Sequence, residues 1–198
     1  MSWNRRSFLA RGLAATGALA VARPVLAATP RTAPRLMDEA IAALARHGGK
    51  VRHRDVVGLV DFAIPSRAPR FHLVDLVGGN VETLLVAHGK GSDPDHSGWL
   101  QRFSNVPGSE ASSNGAYLTG SEYVGKHGRS QRLVGLDPTN NLAEERAIVV
   151  HAADYVGEDV LRMQGKLGRS QGCFAVRQDD LSLVLARLGE GRLIYASK

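Results

Sequence analysis

Cys173 and His151 are the residues of this chain whose types and spacing best suit chemistry. Cys173 is the only cysteine, and His151 follows the apolar run Ala147 to Val150. A thiolate is a strong nucleophile, an adjacent imidazolium lowers the pKa of a thiol, and the same imidazole can return a proton to a leaving group. A buried structural thiol is the other common state of a free cysteine. We interpret Cys173 as a nucleophile and His151 as its base.

A glycine-bearing segment, Gly168 to Phe174, surrounds the cysteine. Gly172 allows a sharp backbone turn before Cys173, and the N–H groups around these two residues would then face a developing oxyanion. In the same segment we assign Arg169 to a substrate carboxylate. We assign Ser170 to substrate contact or to the orientation of the loop and of the histidine ring.

Three further residues are candidates for substrate contact. Gln171 lies beside the predicted turn, His127 lies between Gly125 and Gly128, and Tyr117 lies in a predicted strand. A loop histidine is nearly as often an ordinary surface residue, and a strand tyrosine is as often part of the core. His127 and Tyr117 both lie in the Gly- and Ser-rich region 89–128, and loops of this composition often form the walls of binding or catalytic sites.

The elements that must position these residues are mostly strands. Short apolar runs separated by prolines and by the turn signal Gly78-Gly79-Asn80 predict them. The predicted strands cover residues 56–64, 71–77, 81–87, 116–119, 132–136, 146–151 and 192–195. Helices are predicted over residues 36–47 and 179–188. The pattern predicts a mainly β domain, a sandwich or barrel with peripheral helices, in which residues 152–172 leave the sheet and return.

The first 27 residues are typical of a twin-arginine signal peptide, with Arg5-Arg6 before a short apolar stretch and Val25-Leu26-Ala27 at its end. We therefore predict export to the periplasm or cell envelope. Residues 28–54 are predicted to form a linker and a helix, and 55–198 the catalytic domain. Four of the 25 basic residues lie in the leader, leaving 21 against 19 acidic ones. This balance argues against nucleic acid as a partner, and no membrane span is predicted after the leader.

The sequence His151-Ala152-Ala153-Asp154-Tyr155, followed by Gly168-Arg169-Ser170-Gln171-Gly172-Cys173, resembles the L,D-transpeptidase (YkuD-like) catalytic domain. The similarity is greatest to the branch with a Gly-Arg-Ser-x-Gly-Cys loop. It covers roughly residues 55–196. The chain departs from the common family motif at Gln171, where that motif has histidine, and at Phe174-Ala175-Val176, which lacks the usual Asn or Arg. Supporting blocks lie at 103–105, 109, 112–115, 117, 123, 125–128, 133, 135–136 and 141.

This resemblance implies a sandwich-like fold and a cysteine acyltransferase that acts on peptidoglycan stem peptides without a cofactor. Cys173 would attack the carbonyl of the third stem residue, and His151 would act as base. The terminal D-alanine would leave, and the thioester would pass to an amine of a second stem. Transfer to water instead would make the protein an L,D-carboxypeptidase.

Two other classes of protein compete with this interpretation. A non-catalytic peptidoglycan-binding module would keep an inert thiol, whereas a catalytic thiolate is expected to be alkylated quickly at pH 6–7. A metal-dependent hydrolase could use His88, Asp93, Asp95 and His96, because histidine and carboxylate are zinc ligands. Their spacing matches no strong metal motif, so we expect no metal.

Overall fold

A nine-stranded mixed sheet organises the computed structural model of this chain, which describes residues 34–198. The predicted signal peptide and the first part of the predicted linker lie outside these residues. The strand order is β3-β2-β1-β9-β5-β6-β7-β8-β4, with parallel pairing only for β1 with β9 and β7 with β8. The strands are β1 Val56–Asp61, β2 Phe71–Asp75, β3 Val81–Leu84, β4 Val86–Ala87, β5 Gly115–Gly125, β6 Gly128–Gly135, β7 Val149–Ala152, β8 Phe174–Val176 and β9 Leu193–Ser197.

Three helices accompany the sheet: α1 Pro34–Arg46, α2 Glu158–Gln164 and α3 Leu181–Arg187. Alternate residues of a strand face opposite sides of a sheet, so β1 can contribute to two cores. Val57 and Leu59 pack in the core that includes α1, and Val56 and Val60 pack in the core that includes α3. The mainly β architecture with peripheral helices is therefore confirmed. None of the helices in residues 34–198 is long and apolar enough to cross a membrane.

The predicted strand over 81–87 is in fact two strands. Residues of β3 pair with β2, whereas β4, one residue further along, pairs with β8. The two ends of the strand order therefore belong to one chain segment, which bends the sheet back toward itself. The sequence did not reveal this break because Leu85 at the switch is buried and apolar like its neighbours.

The unit β7–α2–β8 places the predicted nucleophile beside the predicted base. In the parallel pairing of β7 with β8, Val150 lies opposite Phe174 and His151 opposite Ala175. Cys173 directly precedes β8, two residues before Ala175. Because side chains two residues apart on a strand share a face, the side chains of Cys173 and His151 project to the same side of the sheet.

Candidate active site

Cys173 and His151 line one cavity of about 240 Å³. Both are buried, with 8% of the Cys173 residue and 2% of the His151 residue exposed to solvent. Three of the residues assigned to substrate contact, His127, Arg169 and Gln171, also line this cavity, as does Ser170. The structure therefore brings together seven of the eight predicted site residues when the turn at Gly172 is included.

The imidazole of His151 is held as a neutral base. Its Nδ1 lies 2.8 Å from the carbonyl oxygen of Ala152. A carbonyl only accepts, so Nδ1 carries the proton and Nε2 keeps its lone pair. Burial lowers the pKa of His151 against a smaller opposing effect of the Ala152 carbonyl, and the charges of His127 and Lys126 lower it further. The ring is thus prepared to accept a proton at Nε2.

The thiol of Cys173 is held in its protonated form. Its Sγ lies 3.6 Å from the carbonyl oxygen of Ala147, to which the thiol donates. Ala147 has a φ of 52°, a region that non-glycine residues seldom adopt, and it ends the turn before β7. Burial raises the pKa of the Cys173 thiol, and the nearby charges of Lys126 and Arg146 only partly oppose this.

The resting pair is therefore a thiol and an imidazole, both neutral. The sequence led us to expect an imidazolium that lowers the thiol pKa. Burial reverses this expectation because it disfavours both charged forms, raising the pKa of Cys173 and lowering that of His151. If Cys173 acts as a nucleophile, a base must therefore take the thiol proton during the attack itself.

Gly172 is needed for the turn before the nucleophile. Its φ is 112°, and a Cβ there would lie 2.7 Å from the carbonyl oxygen of Ala111 and 2.8 Å from Cδ1 of Ile148. Its N–H donates to Oγ of Ser170 at 3.1 Å and is therefore engaged within the loop. The N–H of Cys173 donates to no other residue within 34–198, so it is the amide available for an oxyanion.

Ser170 holds the loop instead of presenting its hydroxyl to the cavity. The buried hydroxyl donates to the carbonyl oxygen of Cys173 at 2.7 Å. Its backbone N–H donates to the carbonyl of His88 at 2.9 Å, and its carbonyl accepts from Lys90 N–H at 2.8 Å. These bonds support the interpretation that Ser170 orients the loop, and they argue against direct contact with substrate.

The other candidates differ in what they can offer a substrate. Tyr117 is fully buried and its hydroxyl donates to the carbonyl of Ser113 at 2.7 Å, so it belongs to the core and does not reach the cavity. Gln171 is exposed at the cavity, where its amide donates to Glu110 Oε1 at 3.1 Å. The ring of His127 stacks on that of His151, with centroids 4.3 Å apart and planes inclined by 21°.

Sequence reasoning missed Arg146, Lys126 and Tyr155, all of which line the cavity. Burial raises the pKa of Tyr155 to about 12, so its phenol stays protonated. Arg146 ties the loop beside the cavity, and Nη1 donates to the carbonyl of Ser104 at 2.8 Å and to Oγ of Ser113 at 2.6 Å. No spacing marks these residues in the sequence, where Arg146 is one basic residue among 25.

A second buried cluster lies behind the catalytic loop. The guanidinium of Arg70 is fully buried and donates from Nη2 to Nδ1 of His88 at 2.8 Å. The other ring nitrogen of His88, Nε2, then carries the proton and lies 3.3 Å from Oδ2 of Asp93. Asp93 also accepts from the N–H groups of Ser97 and Gly98, each at 2.8 Å. The cluster supports the backbone to which Ser170 is bonded.

The side chains of this cluster are engaged in hydrogen bonds, which leaves them unavailable as metal ligands. Burial and the charge of Arg70 lower the pKa of His88 to about 4, against the opposing bond to Asp93. Burial alone would raise the pKa of Asp93, but the bonds from Ser97 and Gly98 outweigh it and lower that pKa to about 2. Both nitrogens of His88 are engaged, and His96 Nε2 lies 2.8 Å from the carbonyl of Leu167. Within residues 34–198 no group of three His, Cys, Asp or Glu side chains is arranged to hold a metal ion.

The chain was compared with curated protein sequences and with solved structures. No curated protein sequence matches the chain. Similar solved structures include an L,D-transpeptidase from Mycobacterium smegmatis, with 13% identity over 73% of this chain and 59% of that chain and a TM-score of 0.44. L,D-transpeptidase 3 from Mycobacterium tuberculosis has 14% identity over 73% and 61% of the two chains, with a TM-score of 0.46. The helical cell shape determining protein Pgp2 from Campylobacter jejuni has 13% identity over 78% and 53%, with a TM-score of 0.44.

The family comparison covers far more of the sequence. The chain spans 59% of the Mycobacterium smegmatis structure, whereas the family model for the L,D-transpeptidase catalytic domain, YkuD_2, matches residues 28–197. That match includes the cavity, the loop of Cys173 and all nine strands of the sheet. The chain therefore belongs to the L,D-transpeptidase catalytic domain family.

Proposed function

We propose that this protein is a cysteine-dependent acyltransferase of peptidoglycan, an L,D-transpeptidase with Cys173 as nucleophile and His151 as base. The observation that carries the proposal is the neutral His151 ring, whose Nδ1 is held by Ala152 and whose Nε2 has no partner within residues 34–198. It lies in one cavity with the only thiol of the chain. Family membership supplies the substrate class, the stem peptides of peptidoglycan.

The acylation step follows from these positions. Nε2 of His151 takes the thiol proton as Sγ of Cys173 attacks the carbonyl carbon of the third stem residue. The oxyanion that forms accepts a hydrogen bond from the N–H of Cys173. The carbon–nitrogen bond to D-alanine then breaks, the imidazolium gives its proton to the leaving amine, and a thioester remains.

The second step returns the enzyme to its starting state. An amine of a second stem attacks the thioester carbon, and Nε2 of His151 takes a proton from that amine. The carbon–sulfur bond breaks and the thiol is restored with the proton that His151 holds. Water in place of the amine would give a carboxypeptidase by the same sequence of bonds. Throughout, the Ala152 carbonyl keeps the ring oriented through Nδ1.

Mass spectrometry of the purified chain incubated with disaccharide-tetrapeptide tests this proposal. We expect cross-linked dimers and released D-alanine from the wild type and neither from Cys173→Ala. His53→Ala, which alters an exposed histidine away from the cavity, is the matched control for His151→Ala. Formation of tripeptide without dimers would indicate that the protein catalyses hydrolysis and not transpeptidation. Full activity of Cys173→Ala would exclude the mechanism.

We further propose export by the twin-arginine route, for which the leader with Arg5 and Arg6 is the support. Its test is cell fractionation of the chain expressed in a bacterium. The wild type is expected in the periplasmic fraction, and a chain with Arg5→Lys and Arg6→Lys together is expected in the cytoplasm. Equal distribution of the two chains would contradict this route.

A further inference from the structure

The charge of the active-site cavity selects an anionic group. Three cationic side chains line it, those of Lys126, Arg146 and Arg169, and the lining contains no aspartate or glutamate. A cationic substrate group would be repelled by these charges, whereas a carboxylate would be attracted by each of the three.

Two of the three cations are already engaged by the protein. Arg146 donates to Ser104, Ser109, Ala111 and Ser113, and so holds the loop that contains them. Arg169, which the sequence led us to assign to a substrate carboxylate, donates to the carbonyl of Pro94 at 3.1 Å and to that of Asp93. These bonds attach both guanidinium groups to the walls of the cavity.

Lys126 is different. It occupies the two-residue turn between β5 and β6 with His127, it is exposed, and it makes no hydrogen bond or ion pair with any residue of the described part of the chain. The adjacent Arg129 is paired with Glu122 on the same hairpin, so that acid is not a partner for Lys126. The lysine thus presents an ammonium group to the cavity with its hydrogen-bonding capacity unused.

The turn also fixes where this ammonium group lies relative to the chemistry. His127, the next residue, stacks on the ring of His151. Lys126 lines the same cavity as Cys173 and His151, and its charge lowers the pKa of both. His151 must deliver its proton to the amine of the leaving group, and in D-alanine the carboxylate is attached to the carbon that bears this amine.

We propose that Lys126 binds the terminal carboxylate of the leaving D-alanine and so determines specificity for stems that end in a free carboxylate. This assignment rests on the proposed function and replaces Arg169 with Lys126 in the role of carboxylate ligand. The lysine holds the leaving group so that its amine faces Nε2 of His151, and it favours an anionic terminus over a neutral one.

Kinetics with two donor substrates test the assignment: the disaccharide-tetrapeptide with a free terminus and the same molecule ending in D-alaninamide. Lys126→Ala is expected to lower kcat/KM for the free acid about 10-fold and for the amide less than about 2-fold. Lys126→Arg should recover most of the loss. Lys126→Glu should lower kcat/KM for the acid about 100-fold.

The ratio of kcat/KM for the free acid to kcat/KM for the amide distinguishes carboxylate binding from other effects of the lysine. A change in the pKa of Cys173 or His151 would alter turnover of both donors equally, and such an equal loss would overturn the assignment. Lys50→Ala, which removes an exposed charge beyond α1, should leave both rates unchanged. A wild-type chain inactive on both donors would overturn the proposed function and this assignment with it. Activity that depends on Cys173 but is insensitive to Lys126 would overturn the assignment alone.

Discussion

His151 and His88 are two buried histidines in the same domain with opposite uses. They are 2% and 1% exposed, and burial is the largest cause of the lowered pKa of each. At His88 both ring nitrogens have partners, Arg70 on one side and Asp93 on the other. At His151 only Nδ1 has one. Neither burial nor a lowered pKa therefore distinguishes these two histidines; the ring nitrogen left unengaged in the cavity of Cys173 is what supports the proposed role of His151 as a base.

The surroundings of His88 and His151 also differ in charge. The cluster of Arg70, His88 and Asp93 balances a buried cation against a buried anion through a neutral ring, so its charges are permanent and paired. The pair of Cys173 and His151 is neutral at rest, and in the proposed mechanism it becomes charged only during attack. A structural cluster is stabilised by full satisfaction of its polar groups, and a catalytic pair needs one group left available.

The largest expected difference between the two histidines is in turnover. His151→Ala should lower kcat/KM by about 10³-fold because it removes the group that accepts and returns the proton. The midpoint of thermal unfolding should fall less than it does on loss of Arg70, because the buried ring and its one hydrogen bond are lost but no buried charge is left unpaired. Stopped assays by mass spectrometry, together with calorimetry, measure both quantities. Retention of more than a tenth of the activity would contradict the role of His151 as base.

The converse is expected of Arg70, whose loss should affect stability. Arg70→Met leaves His88 Nδ1 and the carbonyls of Val86 and Ile64 without their donor, and leaves buried Asp93 without a compensating cation. The free energy of unfolding should fall by about 3 kcal/mol. Arg129→Met, which breaks an exposed ion pair with Glu122, should change it by less than about 1 kcal/mol. Equal effects in urea titrations would refute this distinction.

The smallest of these effects is expected when His127, whose ring stacks on that of His151, is replaced. The quantity that should change is the pH dependence of kcat/KM. The neutral form of His151 is needed, so kcat/KM should rise with pH through a pKa below the ordinary value of 6.5. His127→Ala removes a like-charged neighbour and uncovers the ring, and both changes raise the pKa of His151. The acidic limb should therefore move to higher pH. His53→Ala should leave the limb in place, and a shift to lower pH would contradict the inferred cause.

The proposed catalytic pair could be selected from the sequence because its signals are local. A single cysteine after a glycine, and a histidine that ends an apolar run, can be recognised without knowing the fold. The state of the pair was not predictable, because burial decides it and burial depends on the whole sheet. For that reason we now expect alkylation of Cys173 to be slow at pH 6–7 and to speed up as pH rises, unlike the fast reaction expected from the sequence.

The other features that the sequence did not predict were missed for similar reasons. Strand β8 has only three residues, and α2 only seven, so neither gives a clear periodic pattern. Arg70 is fully buried, yet no sequence pattern distinguishes a buried arginine from an exposed one. Tyrosine is a common residue type in substrate contacts. At position 117, however, the alternation of side chains along β5 directs the ring into the core. In each case the deciding contacts come from residues far away in the sequence.

The position of β9 has a consequence for how the chain folds. This strand follows all the others in sequence but lies in the middle of the sheet, parallel to β1 and antiparallel to β5. Pairing Val57 with Leu193 closes a loop that contains most of the domain, and such long closures slow folding. Until β9 is in place, β3-β2-β1 and the strands from β5 onward are two separate groups with unpaired edges. We therefore expect the continuous sheet to form late, after synthesis of residues 193–197, when the two groups are joined.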